Sequence, residues 1–249
     1  MDIELELGVF VGTGNEAAAK AGGEYAAEVA GSGAKAVWIG GVQGNTTSDE
    51  REAGFTAGLE SGGVTVTVKQ YGEGLGDKAA SIMENVLTSS PDVSVVVTNN
   101  DDMAAGAARS VQAAGKDMTI VGFDGIKAGV QNVIDGTVTA TVAQDPFGMG
   151  YKAVEAAVKT AKGEEVEDFI DTGSTVITST SSTSFRKGRT VSAGVFGFST
   201  TPARLPLAWI LAMASWSFSS VSDSTWTVTR SAPASQNCST YRPGSTIIR

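Results

Sequence analysis

Polar side chains follow two apolar runs of this sequence, at the points where the runs end. Asn99, Asn100, Asp101 and Asp102 follow the first run, and Asp124 follows the second. A side-chain amide can donate and accept hydrogen bonds, and a carboxylate can accept one at each oxygen. In open α/β sheets, ligands lie outside the carboxyl ends of the strands. These residues are therefore candidates for a site that binds a ligand through hydrogen bonds.

The segment that positions these residues is predicted to be one strand–helix–strand unit. The apolar runs at 93–97 and 118–123 are typical of strands that are buried on both faces of a sheet. Between them, apolar residues recur at every fourth position: Met103, Ala107 and Val111. Such spacing lines one face of a helix, so the pattern indicates a parallel βαβ unit.

The same alternation extends along most of the chain. Strands are predicted at 3–11, 34–40, 64–68, 93–98, 118–123, 138–143 and 168–177. Helices are predicted at 15–30, 47–60, 78–88, 101–114, 126–135 and 145–162. This order is typical of an α/β fold with a doubly wound parallel sheet. The strict alternation of VTVTV at 64–68 indicates an edge strand, and the last strand is expected to leave the lobe.

The composition excludes several classes of function. The 249-residue chain has no histidine, which rules out His-based acid–base catalysis and His-metal sites, and its single cysteine cannot form an internal disulfide. Residues 1–177 hold 26 of the 27 acidic residues but only 11 of the 18 basic ones, so this body should repel nucleic acid. The longest apolar run, 205–214, is far shorter than the roughly 20 residues that span a bilayer, so membrane insertion is not expected.

Three stretches carry a resemblance to a known family. They are VVVTNNDDMAAGAARSVQAAG with the following IVGFDG, GNTTSDEREAGF at 44–55, and DGTVTATVAQDPFGMGYKAVEAAVKTAKGE at 135–164. Over roughly 8–178, the chain resembles the second lobe of periplasmic sugar-binding proteins of the ribose-binding type, a type I fold shared with LacI-type effector domains. The resemblance implies a monosaccharide ligand, ABC permease partners, no cofactor, and a periplasmic or extracellular location as a secreted protein or lipoprotein.

The resemblance also implies which residues bind the sugar. Arg51, Asn100, Asp124 and Gln144 fall where the family places polar ligand contacts, and Leu75 aligns where the family often has an aromatic over the apolar face of the sugar. Sugar hydroxyls require fixed amides, carboxylates and guanidinium groups. Each polar residue also has an ordinary interpretation, since Asn100 suits a helix cap, Asp124 a turn and Arg51 a solvated helix surface.

A glycine pattern near the start of the chain suggests an alternative ligand. Gly12, Gly14 and Ala17 fit a G-x-G-x-x-[GA] pattern between a predicted strand and a predicted helix, as in dinucleotide-binding proteins. The strand at 34–41 ends in glycines and supplies no acid to bind a ribose. In the family that the chain resembles, the same glycines would form a hinge between lobes.

Both ends of the chain depart from the family pattern. The acidic start of the chain has no signal peptide, and Met1 is interpreted as an internal start of a truncated gene that lacks the first lobe. Ser and Thr make up 27 of the last 72 residues. A frameshift explains that composition, and a natural Ser/Thr-rich linker is the alternative.

These features divide the chain into four segments. They are a strand and hinge of the missing first lobe at 1–14, the sugar-binding lobe at 15–143, a return helix and strand toward the first lobe at 144–178, and an aberrant, unstructured tail at 179–249.

Two functions are compatible with this organisation, and a third is disfavoured. The leading hypothesis is the substrate-binding component of a sugar ABC importer, here as an incomplete fragment. The alternative is the effector domain of a LacI-type regulator without its DNA-binding headpiece. An enzyme is not expected, because Asp124 has no P-loop, nucleophile elbow or supporting lysine arrangement around it.

Overall fold

The computed structural model describes residues 8–181, 216–218 and 228–230. The strands are β1 (Phe10–Gly12), β2 (Lys35–Gly40), β3 (Thr65–Tyr71), β4 (Val93–Thr98), β5 (Thr119–Asp124), β6 (Ala140–Gln144), β7 (Phe169–Asp171), β8 (Ser174–Thr178), β9 (Trp216–Phe218) and β10 (Val228–Arg230). The helices are α1 (Asn15–Ala30), α2 (Thr46–Ser61), α3 (Gly76–Ser89), α4 (Asp101–Ala113), α5 (Lys127–Ile134) and α6 (Pro146–Ala161).

The central element is a six-stranded sheet in the order β3-β2-β4-β5-β6-β8. Strands β2 to β6 are parallel, which confirms the predicted doubly wound fold, and β3 lies at an edge as its alternating pattern predicted. Successive residues of β2 point to opposite faces, because Trp38 joins one core cluster while Val37 and Ile39 join the other. Helices α1 and α2 cover the first face, and α3, α4 and α5 cover the second.

The chain after α6 differs from the prediction. The single strand expected at 168–177 is two strands, because Gly173 takes a left-handed backbone conformation (φ +80°) between them. Strand β7 pairs in parallel with β1, whereas β8 pairs antiparallel with β6 in the main sheet. The prediction that this strand leaves the lobe is therefore wrong for β8. Strand β1 coincides with the end of the strand predicted at 3–11, and residues 1–7 lie outside the described part.

Helices α1 and α2 pack through glycine with their backbones in direct contact. A Cβ atom at Gly54 would overlap the carbonyl oxygen of Glu16, and one at Gly58 would overlap that of Lys20. A Cβ atom at Gly23 of α1 would lie 2.6 Å from the carbonyl oxygen of Phe55 in α2. Only a residue without a side chain fits at such an approach, so these glycines set the separation of the two helices.

The strands β9 and β10 form a separate antiparallel pair. They lie within the tail that is predicted to be unstructured, so these two segments have local structure that the sequence pattern did not indicate. The rest of that tail after residue 181 lies outside the described residues. Among the helices that the structure describes, none combines the length and apolar character that a membrane span requires.

Candidate functional site

Arg51 lies on α2 at the carboxyl edge of the sheet, where its guanidinium group contacts three segments of the chain. Nη1 donates to the carbonyl oxygen of Asn99 (2.7 Å) and to Oδ1 of Asp124 (3.2 Å), and Nε donates to Oδ1 of Asn15 (3.0 Å). The residue is 7% exposed. The ordinary interpretation of Arg51 as a solvated helix residue is therefore wrong.

An aromatic platform supports this guanidinium group. The Cζ atom of Arg51 lies 3.8 Å from the ring centroid of Phe123, which packs edge-on against Phe55. Phe55 in turn contacts Trp38, with ring centroids 5.7 Å apart. Arginine stacks flat on aromatic rings, and a stacked guanidinium has a fixed plane. The core thus orients the hydrogen-bonding group at its rim.

Asp124 ends β5 and receives hydrogen bonds from both sides. Its Oδ1 accepts from Arg51 and also from Nε2 of Gln144 (2.7 Å), which ends the neighbouring strand β6. Asp124 has a backbone φ of +107°, which is uncommon for a residue other than glycine and is a form of strain that clusters at functional sites. The structure therefore brings Arg51, Asp124 and Gln144 together, as the sequence predicted.

Two atoms of this cluster remain available to a ligand. No hydrogen bond within the described residues engages Oδ2 of Asp124 or Nη2 of Arg51. The fully buried side-chain atoms without a partner there are Trp38 Nε1 and Asn99 Oδ1, so the two free atoms of the pair reach solvent. An acceptor and a donor on two side chains that contact each other match a hydroxyl group, which both donates and accepts.

Burial changes the ionisation of both members of the pair. It lowers the pKa of Arg51, although the Asp124 carboxylate acts in the opposite direction. It also raises the pKa of Asp124, against the charge of Arg51 and the hydrogen bonds from Arg51 and Gln144. The contacts between the two groups thus do not fully replace the solvation that each group loses on burial. A polar ligand that adds hydrogen bonds to them would therefore be favoured.

Asn100 lies at the same edge of the sheet but has structural partners. Its Oδ1 accepts from the backbone N–H of Met103 (2.9 Å) and so caps α4, and its Nδ2 donates to the carbonyl oxygen of Gly74 (3.1 Å). The alternative of a helix cap is therefore confirmed. Leu75 follows Gly74 at the start of α3, and its side chain is 52% exposed.

Sequence reasoning missed two residues of the network. Asn15 accepts from Arg51 and donates to Glu50 (3.0 Å), and the hydroxyl of Thr13 donates to Oε1 of Gln144 (3.0 Å). Both lie within the glycine pattern at residues 12–17, which was interpreted only through its glycines. The signal that could have identified them is their position in the short connection between a strand and a helix, where ligands of α/β sheets bind.

The same segment disfavours the dinucleotide alternative. The backbone N–H of Gly14, at the start of α1, donates to Oδ1 of Asp171 (2.9 Å). A pyrophosphate would need this helix N-terminus, which here is bound by a carboxylate. Among the described residues there is also no cluster of acidic, His or Cys side chains that could bind a metal ion.

Comparison with known proteins gives a consistent result. A sequence model of the family described as periplasmic binding protein domain matches residues 8–165. The ribose import binding protein RbsB of Escherichia coli is 40% identical over 163 residues, which are 65% of this chain and 55% of that protein. The D-ribose/D-allose-binding protein of Pseudomonas aeruginosa is 32% identical over 165 residues, 65% of this chain and 52% of that protein.

Solved structures of solute-binding proteins share this fold. An ABC transporter solute-binding protein from Bacillus halodurans with bound myo-inositol is 27% identical, with a TM-score of 0.66 over 72% of this chain and 63% of that chain. One from Agrobacterium vitis, bound with α-D-tagatopyranose, is 28% identical with a TM-score of 0.65, over 69% and 59%. The chain spans about half the length of the curated relatives that it matches.

Proposed function

Because the chain belongs to the periplasmic binding protein domain family, we propose that it is the sugar-binding lobe of the substrate-binding component of an ABC importer. The observation that carries the proposal is the cluster of Arg51, Asp124 and Gln144 at the carboxyl ends of adjacent strands, with a donor and an acceptor open to solvent. We also propose Asn100 and Leu75 as ligand contacts, because the resemblance implies them and the Asn100 side chain donates to Gly74, next to Leu75. The relatives bind ribose, allose and other monosaccharides, and these are the candidate ligands.

The relatives favour an importer component over a transcriptional regulator. They are named as import or binding proteins, and one is named as a periplasmic protein. We therefore propose ABC permease subunits as partners and a periplasmic or extracellular location, for a secreted or lipid-anchored form of the protein. The matched relatives are named as binding proteins rather than as enzymes, so the proposed role is one of binding.

Calorimetry with D-ribose, D-allose, D-tagatose and myo-inositol tests the sugar proposal. The first sample is this chain alone, and the second joins it to the part of the E. coli relative that it does not match. Each open hydroxyl contact nets only about 0.5–1.5 kcal/mol in competition with water, so the chain alone should bind weakly. The joined protein should bind at least one sugar more than about tenfold more tightly. Absence of sugar binding by both proteins contradicts the proposal.

Two substitutions in the joined protein locate the site. Asp124→Ala should weaken sugar binding at least about tenfold, because Arg51 and Gln144 lose the acceptor between them. Asp117→Ala removes an exposed carboxylate from the loop between α4 and β5 and should leave the affinity unchanged. Equal affinities of the two variants would return Asp124 to its ordinary role as a turn residue.

A further inference from the structure

A buried carboxylate lies directly behind the candidate site. Asp101, the first residue of α4, is only 2% exposed. Its Oδ2 accepts from the backbone N–H of Ile126 (2.9 Å), and its Oδ1 accepts from the hydroxyl of Thr141 (2.6 Å). These partners lie 25 and 40 residues away along the chain, so one side chain connects α4 to the segment after β5 and to β6.

Two glycines leave the space that this carboxylate occupies. A Cβ atom at Gly122 of β5 would lie 2.5 Å from Oδ1 of Asp101, and one at Gly129 of α5 would overlap Oδ2. Asp101 is thus enclosed by a strand, a helix and two hydrogen-bonding partners. A side chain so tightly surrounded has one conformation, and it therefore fixes the positions of the groups that hydrogen-bond to it.

Asp101 binds the backbone directly after the strained end of β5. Asp124 and Gly125 both have positive φ, at +107° and +68°, and the next residue is Ile126. An aspartate in that conformation requires surrounding structure that holds it there. The N–H of Ile126 is the nearest backbone group after the turn, and Asp101 is its acceptor.

We propose that Asp101 is a positioning residue for ligand binding, which holds the turn at residues 124–126 so that the Asp124 carboxylate stays directed at Arg51, Gln144 and the ligand. The identity of the ligand as a sugar rests on the function proposed above. Asp101 itself contacts no ligand and acts through the backbone of Ile126.

The ionisation of Asp101 makes this positioning role measurable by a pH titration. Burial raises the pKa of Asp101 to about 7, and the charge of Asp124 acts in the same direction. Arg51 is the cation that interacts with it. Of the other elements packed against Asp101, α5 contributes only the exposed Lys127 as a charged residue, and β6 contributes none.

An asparagine at this position reproduces the protonated carboxyl group. Its oxygen can accept from Ile126, and its amide can donate to the Thr141 hydroxyl, which both donates and accepts. Asp101→Asn should therefore keep the turn in place without titrating. Asp101→Ala removes the acceptor, and Asp117→Ala in the loop after the same helix is the control, because Asp117 is exposed.

The first arm of the test needs no ligand. In the full chain, the amide resonances of Gly125 and Ile126 should follow a titration with a midpoint at about 7, as Asp101 ionises. The transition with this midpoint should persist in Asp117→Ala and be absent from Asp101→Asn, in which Asp124 remains as a neighbouring carboxyl group with a raised pKa. Hydrogen exchange at Ile126 should be at least about tenfold faster in Asp101→Ala than in Asp101→Asn. Identical amide shifts and exchange in all four proteins would overturn the inference.

The second arm measures D-ribose affinity in the protein joined to the E. coli relative. Asp101→Ala should weaken binding at least about tenfold, whereas Asp101→Asn should stay within about threefold of the parent at pH 6. Affinity retained in Asp101→Ala would contradict the positioning role. If the parent binds no sugar, the proposed function fails, and the amide measurements alone decide whether Asp101 holds the turn.

Discussion

The Arg51–Asp124 pair combines a short contact with poor solvation. The side chain of Arg51 is 8% exposed and that of Asp124 is 28% exposed, and the two groups meet at 3.2 Å. The remaining ion pairs of the described residues include Arg109–Asp77, whose side chains are far more exposed. Removing one partner of a buried pair leaves the other charge without compensation, whereas an exposed pair contributes little.

Arg51→Met should therefore destabilise the chain by roughly 1–3 kcal/mol, discounted from the value for a fully buried pair because Asp124 is partly solvated. Adding Asp124→Asn to Arg51→Met should recover part of that loss, because the unpaired charge is then gone. Urea unfolding measures the parent, both single variants and the double variant. Arg109→Met is the control and should stay within about 0.5 kcal/mol of the parent. Additive effects of the two site substitutions would exclude a coupled pair.

The raised pKa of Asp101 also makes stability depend on pH. The folded state keeps its proton up to about pH 7, whereas the unfolded state releases it at the ordinary value of 3.8. The contribution of this group is fully present below the unfolded pKa and is lost as the pH rises through the folded pKa. Asp124 acts in the same direction.

The unfolding free energy should accordingly fall between pH 4 and pH 8, and by more in the parent than in Asp101→Asn. The difference between the two profiles should be on the order of 2–4 kcal/mol, since each unit of pKa difference corresponds to 1.36 kcal/mol. Urea unfolding at closely spaced pH values gives both curves. Parallel profiles would place the titrating group elsewhere.

The residues that sequence reasoning found and missed differ in their partners. The rule for the carboxyl ends of parallel strands predicted Asp124, whereas the resemblance to the sugar-binding family implied Arg51 and Gln144. The role of Asp101 depends on Thr141 and Ile126, which are ordinary residues in the sequence. A carboxylate at the start of a helix suggests a helix cap. Only the packing in the structure shows that Asp101 is instead buried and bound to other segments of the chain.

At the scale of elements, the spacing of α1 and α2 depends on glycine. Glycine lowers the stability of an isolated helix by about 0.5–1 kcal/mol relative to alanine, so these residues oppose local propensity. Their compensation is the contact of backbone with backbone, in which no side-chain rotamer is immobilised.

Gly58→Ala should therefore destabilise the chain by roughly 1–3 kcal/mol, because the methyl group overlaps the backbone of α1. Gly150→Ala is the matched control. Gly150 lies within α6 and has open space around the position of a Cβ atom, so alanine there should add up to about 1 kcal/mol of stability. Thermal unfolding compares the two variants with the parent. A stabilised Gly58→Ala protein would contradict the close approach of the helices.

Periodicity predicted the central elements well because each carries a long pattern. Every strand from β2 to β6 and every helix from α1 to α6 overlaps its predicted range. The break between β7 and β8 depends on one glycine, Gly173, and on pairing with β6. Neither produces a change of period, so the pattern alone could not separate the two strands.

At the scale of the whole molecule, the described core ends with β8. The two large clusters lie between Ala18 and Val142, and the small third cluster includes Ile177, which is 6% exposed. A chain that ends after residue 181 retains all of these residues. One that ends after Gly173 loses β8 and the burial of Ile177.

The chain that ends after residue 181 should give the same amide resonances at Asp124 and Gln144 as the full chain. The chain that ends after Gly173 should be destabilised by roughly 2 kcal/mol or more, because β8 loses both its hydrogen bonds and its buried side chain. Urea unfolding and NMR spectra of the two proteins measure these effects. Equal stability would show that β8 contributes nothing to the lobe.

The late position of β8 in the sequence has a consequence during synthesis. Ribosomes add about 5–20 residues per second, so roughly 2–7 seconds separate the completion of Gln144 from that of Thr178. Throughout that interval the outer edge of β6 has no partner from its own chain, although four of its five residues are buried in the finished sheet. An unpaired edge of this kind pairs readily with a neighbouring chain. Nascent chains on one messenger are therefore most prone to join each other at residues 140–144.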